Sequence, residues 1–488
     1  MPSSARSGNG SYWEERAIFV PESIGVVPIK NKIRKGRTTF MDYDLVVIGA
    51  GPGGHAAAEH ASRLGARVAI VERDKWGGVC THCGCIPTKA LLACSGMYTK
   101  TGKIKRMGIS IDGISVDYST IKRHQQQMVR VSALGVRKTL DDAGVERKEG
   151  EGLILSPGEV EVASTDGTKY HLRTRNIVIA WGSEPAVISG IEISGRILNS
   201  RDFLALEKLP RSAIVVGGGA IGVEFATFMA ELGTKVTIVE LLDQILPAEE
   251  EEAAQLLTGE LKKIGINVHT STRMESLTDT GDGVMLRSTH ENRIQEIVAE
   301  NALICVGRRP LLRTEELDRL SISYDRNGII VDDHQMTNID NIFAIGDVTG
   351  GILLAHRAMA QGRAVAGNLF GDGPVKYRED IIPSVVYTHP NVARVGLTEK
   401  KALEQGMKID VKKVEYGGNI IARTGLMGNG FVKTLFSDER LIGVTIVGDG
   451  AGELIAPMSM AVANGMGKRE LRNWIIPHPT LSELLRVI

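Results

Sequence analysis

Residues 43–72 read YDLVVIGAGPGGHAAAEHASRLGARVAIVE. An apolar run, Tyr43 to Ile48, meets a glycine-rich turn; helical periodicity follows to about Leu64, and a second apolar run spans Arg67 to Glu72. That alternation of strand and helix periods is a βαβ unit. Gly49 permits the tight turn, Gly51 lets the backbone reach a pyrophosphate, and Gly54 lets helix and strand pack closely. The helix N-terminus then favours the anionic phosphates. Glu72, at the end of the second strand, suits a ribose hydroxyl. A plain glycine-rich turn is the bland alternative, and it loses because strand, helix and acid stand in register.

The same pattern recurs at 213–240, AIVVGGGAIGVEFATFMAELGTKVTIVE, with Gly217, Gly219 and Gly222 in the loop and Glu240 as the acid. Glu72 follows Gly49 by 23 residues, and Glu240 follows Gly217 by 23 residues. Two Rossmann-like units imply two dinucleotides. Glu240 would accept from the ribose 2′-hydroxyl of NAD and repel a 2′-phosphate, and no basic residue occurs among Leu241, Leu242 and Asp243. The mobile cofactor is therefore expected to be NAD(H). Gly307 is assigned to the same site.

Outward from these units, 488 residues allow roughly three domains. Lys plus Arg and Asp plus Glu both number 58, so no global field favours nucleic acid or a membrane surface. No apolar run approaches the roughly 20 residues that cross a bilayer. Residues 1–41 form a polar extension, basic from Lys30 to Arg37, which reads as a disordered tail, an upstream start before Met41, or a transit peptide; Glu14, Glu15 and Glu22 speak against the last. From about Ile381 the pattern changes to strands at Ser384–Tyr387, Gly430–Phe436 and Leu441–Val447 and an apolar helix near Glu453–Val462, a mixed α+β unit with no phosphate loop. The fold expected is α/β: a dinucleotide domain over 42–183 and 311–380, a second over 184–310, and an interface domain over 381–488.

Three of the five cysteines, Cys80, Cys83 and Cys85, crowd into the segment 77–89, GGVCTHCGCIPTK. It resembles the GGTCxxxGCxPSK box of the pyridine nucleotide-disulfide oxidoreductases. By that resemblance Cys80 is the thiol that exchanges with substrate and Cys85 the thiol that faces a flavin, while Lys89 and Glu224 match the family's ion pair near that flavin. Pro87 marks a helix opening just after the pair, whose dipole favours a thiolate at Cys85. Residues 337–347, TNIDNIFAIGD, resemble the second flavin motif, which assigns FAD to the first unit, with Asp347 on its ribityl chain, Ala355 of Leu354-Ala355-His356 at its ring system, and Gly182 also in the site. His478 to Glu483, HPTLSE, resembles the ending of dihydrolipoamide dehydrogenases. In that family the histidine is the base and the glutamate its orienter. Both act in the neighbouring subunit of a homodimer. His389 is assigned to interface packing.

The resemblance covers about residues 42–488 and implies oxidation of dihydrolipoyl groups on a carrier protein, with hydride passing to NAD, in the cytoplasm, or in a mitochondrial matrix or plastid if residues 1–41 are a transit peptide. Three features depart from it. Trp181 occupies the threonine position of Ala-Thr-Gly-Ser. Cys83 replaces an aliphatic residue and is read as a small buried hydrophobe. Residues 357–362, RAMAQG, lack the family's acids. A zinc site from Cys80, His82, Cys83 and Cys85 is disfavoured because no second knuckle exists. The rivals are a related disulfide reductase, against which Glu240 and the LSE ending argue, and a non-catalytic component of a lipoyl-protein complex.

Overall fold

The computed structural model describes residues 41–486 other than positions 292, 372 and 374–376. The N-terminal extension, Met41 apart, therefore lies outside the described residues. Leu45–Ile48, entirely buried, is the third strand of a seven-stranded sheet ordered Ile342–Ala344, Ile177–Ile179, Leu45–Ile48, Val68–Glu72, Glu146–Ser156, Glu159–Ser164 and Lys169–Arg173. Continuous apolar strands are what a parallel sheet covered on both faces requires. Glu146–Ser156 changes role along its length, pairing parallel with Val68–Glu72 through Glu149 and antiparallel with Glu159–Ser164 from Gly150 onward. Helix Pro52–Arg63 begins on proline and buries small side chains, Ala56, Ala57, Ala58 and Ala61. Helix Ala355–Phe370 crosses it so closely that a Cβ on Gly362 would lie 2.5 Å from the Gly53 carbonyl oxygen.

The second unit is a five-stranded parallel sheet ordered Asn267–His269, Lys235–Val239, Ser212–Val216, Asn301–Ile304 and Ile197–Leu198, accompanied by an antiparallel meander, Arg273–Asp279, Val284–His290 and Arg293–Ala299. The chain enters and leaves this unit through two matched crossings. After Ile177–Ile179 it turns at Gly182 (φ 79°), and after Asn301–Ile304 at Gly307 (φ 117°). The short strands that follow, Ser183–Pro185 and Arg308–Pro310, pair antiparallel. Both glycines occupy the left-handed region that penalises a side chain.

The C-terminal unit is a five-stranded antiparallel sheet ordered Ser384–Val386, Asn391–Gly396, Arg440–Gly448, Phe431–Ser437 and Asp410–Glu415. Helix Ala451–Ala463 buries Leu454, Ile455 and Met458 in the same apolar cluster as that sheet's Val395, Val432 and Val444. Another cluster joins all three units: Leu91 and Leu92, Phe203, Phe225 and Phe228, and Val386 and Phe431. Beside it runs a charged seam. The Lys433 ammonium, 3% exposed, lies 3.0 Å from Glu252, 3.5 Å from Glu250 and 2.5 Å from Glu399, and Arg394 pairs with Glu249 at 2.8 Å. Among the described residues no helix is long and apolar enough to cross a membrane.

Candidate active site

The two glycine loops face one cleft of about 1430 Å³, which also receives Cys80, Cys83 and Cys85. Within each loop the glycines divide the work in the same way. A Cβ on Gly49 would sit 2.3 Å from the Ala180 carbonyl oxygen, and one on Gly54 would sit 1.9 Å from that of Gly49; Gly217 meets Cys305 at 2.4 Å and Gly222 meets Gly217 at 2.1 Å. These four are glycine because backbone passes backbone. A Cβ on Gly51 or Gly219 would meet nothing within 4 Å. These two keep a space clear on the cleft wall, as a pyrophosphate at a helix N-terminus needs. The acids match as well. Glu72 accepts from the backbone N–H of Ala50 (2.7 Å) and Asp74 (2.9 Å), and Glu240 from Gly218 (2.6 Å) and Leu242 (2.8 Å). Each carboxylate is thereby aimed across its own loop with lone pairs to spare, so both cradles fit a dinucleotide.

In the first half of the cleft Asp347 accepts from Ser183 Oγ at 2.5 Å, and Ser183 in turn is fixed by Arg308, whose Nε donates to the hydroxyl (2.8 Å) and whose terminal nitrogen donates to the Ser183 carbonyl (2.7 Å). The loop before Asp347 is tethered by Gln361: Gly346 N–H donates to Gln361 Oε1 (2.7 Å), and Gln361 Nε2 donates to Gln335 Oε1 (2.7 Å). In RAMAQG a neutral amide thus holds the flavin-motif loop, and Arg357 finds its acid in Glu379, at 2.9 Å. Ala355 opens the helix that lines this half, and Gly182 lies on the wall.

In the second half Gly307 lines the cleft and Leu241 and Leu242 are exposed beside Glu240. The fold adds what the local sequence does not show. The turn after Asn267–His269, where Thr272 N–H donates to the Glu240 carbonyl (2.9 Å), brings Arg273 onto the same cleft. Arg273 is thus a basic residue of this cleft that Leu241, Leu242 and Asp243 do not reveal.

The cysteines occupy two consecutive helices, Gly78–Cys83 and Cys85–Ile104, hinged at Gly84. The second helix opens on Cys85 itself, two residues earlier than Pro87 implies. Gly84 carbonyl accepts from Thr88 Oγ1 at 2.7 Å. All described cysteines are free thiols. The neighbouring Cys80 thiol is the largest cause pulling Cys85 down to about 7, with the Lys89 ammonium adding to it against burial, and Cys85 in turn pushes Cys80 upward. Lys89 bonds both oxygens of buried Glu224 (2.8 and 3.1 Å) and lies 4.6 Å from the centre of the Tyr387 ring. Tyr387, read from sequence only as the end of a strand, closes the junction by donating its backbone N–H to Glu224 at 2.9 Å. Glu224 stands on the helix of the second dinucleotide unit and its carboxylate meets Lys89, the ion pair that the resemblance implies. Cys83 is half-buried on the cleft wall, not sealed in the core as its replacement of an aliphatic residue implies.

A lowered thiol loses its charge as pH falls. In the reduced, flavin-loaded protein the long-wavelength absorbance of a thiolate beside a flavin should therefore grow through a midpoint near 7 and vanish in acid. A pH titration of the anaerobic visible spectrum measures it, and a midpoint near that of an ordinary thiol would refute the assignment of Cys85.

His478 and Glu483 meet, Nδ1 to Oε1 at 3.0 Å, and Glu483 Oε2 also accepts from Thr480 N–H at 3.2 Å. The His478 hydrogen bond is the main cause holding the Glu483 carboxyl below the usual range. The pair does not line the cleft of its own chain, and the His478 side chain is 76% exposed. His389 is different. Its Nδ1 lies 2.8 Å from buried Glu231, and its ring presses on Gly96 of the cysteine helix, which leaves room for no side chain there. Among the described residues no group of three or more His, Cys, Asp or Glu side chains has the geometry to hold a metal ion.

The family model for pyridine nucleotide-disulphide oxidoreductases matches residues 43–362, and that for the family's dimerisation domain matches 382–487. A dihydrolipoyl dehydrogenase of Chlorobaculum tepidum is 37% identical over 458 residues, 93% of this chain and 98% of its own. One from Bacillus subtilis is 35% identical over 448 residues, 91% and 95% of the two chains. Among solved structures, LpdA of Mycobacterium tuberculosis superposes with a TM-score of 0.84 at 29% identity, covering 91% of this chain and 98% of that one. The HOCl-induced flavoprotein disulfide reductase RclA of Escherichia coli does so with 0.80 at 27% identity and the same coverage.

Proposed function

The chain belongs to the pyridine nucleotide-disulphide oxidoreductase family, and from that premise we propose that it is a dihydrolipoyl dehydrogenase working with FAD and NAD. The observation that carries this is the Cys80/Cys85 pair on the one cleft that both dinucleotide cradles line. FAD, when bound between Gly51, Glu72, Asp347 and Ala355, supplies the two-electron link between that pair and NAD.

The residues perform the thiol half of the reaction. With the pair oxidised, one thiolate of the substrate attacks Cys80 sulfur. The Cys80–Cys85 bond breaks and Cys85 departs as a thiolate, which the Lys89 ammonium stabilises. The second substrate thiol loses its proton to His478 and attacks the substrate sulfur of the mixed disulfide. Cys80 is released and takes a proton, as its raised pKa favours. Two electrons now reside in the Cys80/Cys85 dithiol and the substrate leaves as a disulfide. Glu483 orients the imidazole and stabilises its cation. Since His478 lies outside the cleft of its own chain, we assign it to the cleft of a second copy, in a homodimer built on the dimerisation domain. We place this dimer in the cytoplasm, serving a lipoyl-carrier protein.

Steady-state rates test the reading: dihydrolipoamide with NAD should be oxidised far faster than glutathione, and faster with NAD than with NADP. A purified flavoprotein inert to dithiols would overturn it in favour of a non-catalytic role. The dimer is tested by complementation. Homodimers of His478→Gln and of Cys80→Ser should each lose at least about a hundredfold in activity. A co-expressed heterodimer restores one intact site; failure to recover activity would place His478 in its own chain's cleft.

A further inference from the structure

The strand Ile177–Ile179 runs into Ala180-Trp181-Gly182, a crossing whose backbone is fixed on both sides. Before it, the Ala180 carbonyl lies against Gly49; after it, Gly182 adopts φ 79° and Ser183 bonds Asp347. The large ring of Trp181 therefore cannot be accommodated by moving the chain. It lines the cleft with Val71, Glu72, Gly150, Gly152 and Arg313. The Arg313 guanidinium covers one face at 4.9 Å from the ring centre. Arg313 is itself braced, donating to the Gly152 carbonyl at 2.8 Å and pairing with Glu151 at 3.2 Å and Glu316 at 3.5 Å.

The indole nitrogen is buried without a hydrogen-bond partner. An unpartnered buried donor costs stability, so a polar anchor is not what keeps tryptophan here. What the residue presents is a flat apolar surface on a rigid cationic backing, and that backing ties it to the strand of the ribose acid: Arg313, over the ring, bonds the Gly152 carbonyl, and a Cβ on Gly152 would lie 3.3 Å from Val71, the neighbour of Glu72. Within the assignment of FAD to this cleft, we propose that Trp181 is a cofactor-binding residue whose ring, held by Arg313, packs against the adenosine half of FAD. A flat aromatic wall binds a purine nucleoside by stacking and by excluding water.

The experiment uses full-length protein stripped of FAD and reconstituted by titration, with flavin and tryptophan fluorescence read together. Trp181→Thr should raise the FAD dissociation constant about tenfold, and Trp181→Phe, which keeps an aromatic face, at most about threefold. ADP carries the adenosine half alone, and its inhibition constant against FAD uptake should rise in Trp181→Thr by the same factor as FAD's. FAD should also quench an emission component that is present in the wild type and missing from Trp181→Phe. Unchanged FAD affinity in Trp181→Thr, or weakened FAD binding with unchanged ADP inhibition, overturns the inference. If Trp181→Thr does not fold, equal quenching in wild type and Trp181→Phe overturns it. A wild-type apoprotein that takes up no FAD would instead remove the flavin assignment itself and this inference with it.

Discussion

Replacing Cys80 by serine is expected to lower NAD-linked dithiol oxidation about a thousandfold or more, the scale on which removal of a nucleophile acts. Serine is nearly the same size and can still donate to the Cys85 sulfur, so the fold and the lowered Cys85 are retained. The long-wavelength thiolate absorbance should consequently be present in the resting variant, since Cys85 has no partner left with which to form a disulfide. Cys85→Ser should lose as much activity but show no such band, because Cys85 is the thiol assigned to face the flavin and burial still disfavours a thiolate at Cys80. Turnover assays and spectra of the two variants measured side by side decide it. If both show the band, or Cys85→Ser alone does, the division of labour between the cysteines is reversed.

The second large effect is on stability. Lys433 stands among Glu250, Glu252 and Glu399, and its pKa is pushed up to about 12: burial works against the ammonium, but the hydrogen bonds it donates to Glu399 and Glu252 outweigh it. Because the shift is upward, this contribution is complete below the ordinary lysine range and is lost only as pH rises through about 12. Lys433→Met keeps the volume and removes the charge, leaving the side chains of Glu250, Glu252 and Glu399 facing one another. Breaking a buried ion pair by deleting one partner costs about 3–5 kcal/mol. Thermal unfolding should move down by roughly 5 °C or more. Adding Glu399→Gln to Lys433→Met should restore part of that loss, since Glu252 keeps Lys413 at 2.6 Å and one of the two carboxylates left without a cation goes. A Lys433→Met melting curve coincident with wild type would show that the seam between the second dinucleotide unit and the C-terminal sheet is not held by this ammonium.

Much of the architecture is legible in short-range pattern. The strands of both βαβ units lie within two residues of where periodicity puts them, because an apolar run flanked by a glycine turn and an alanine-rich helix satisfies local geometry and burial together. The antiparallel meanders at 146–173 and 273–299 carry mixed, half-exposed sequences, and their pairing depends on partners the local pattern does not name. The site divides along the same line. Gly49, Gly51, Gly54 and their counterparts are readable because backbone sterics act within a few residues. Tyr387, Arg308, Gln335 and Arg273 are not, because each is defined by an atom far along the chain: the Glu224 carboxylate, the Ser183 hydroxyl, the Gln361 amide and the cleft beside Glu240. For Cys83 the local context points to a buried hydrophobe, and packing assigns a cleft wall.

The sequence by itself determined that this protein carries two dinucleotide cradles, a cysteine pair at a helix start and a histidine–glutamate ending, since those features are written in residues close enough to constrain one another. Only the tertiary structure decided that the paired thiols are shifted apart, one down and one up, that Tyr387 closes the Lys89–Glu224 pair from the C-terminal unit, and that Gln361 and Arg308 hold the loop and serine beside Asp347. Burial, field and direction are properties of surroundings, and those surroundings are assembled from segments hundreds of residues apart.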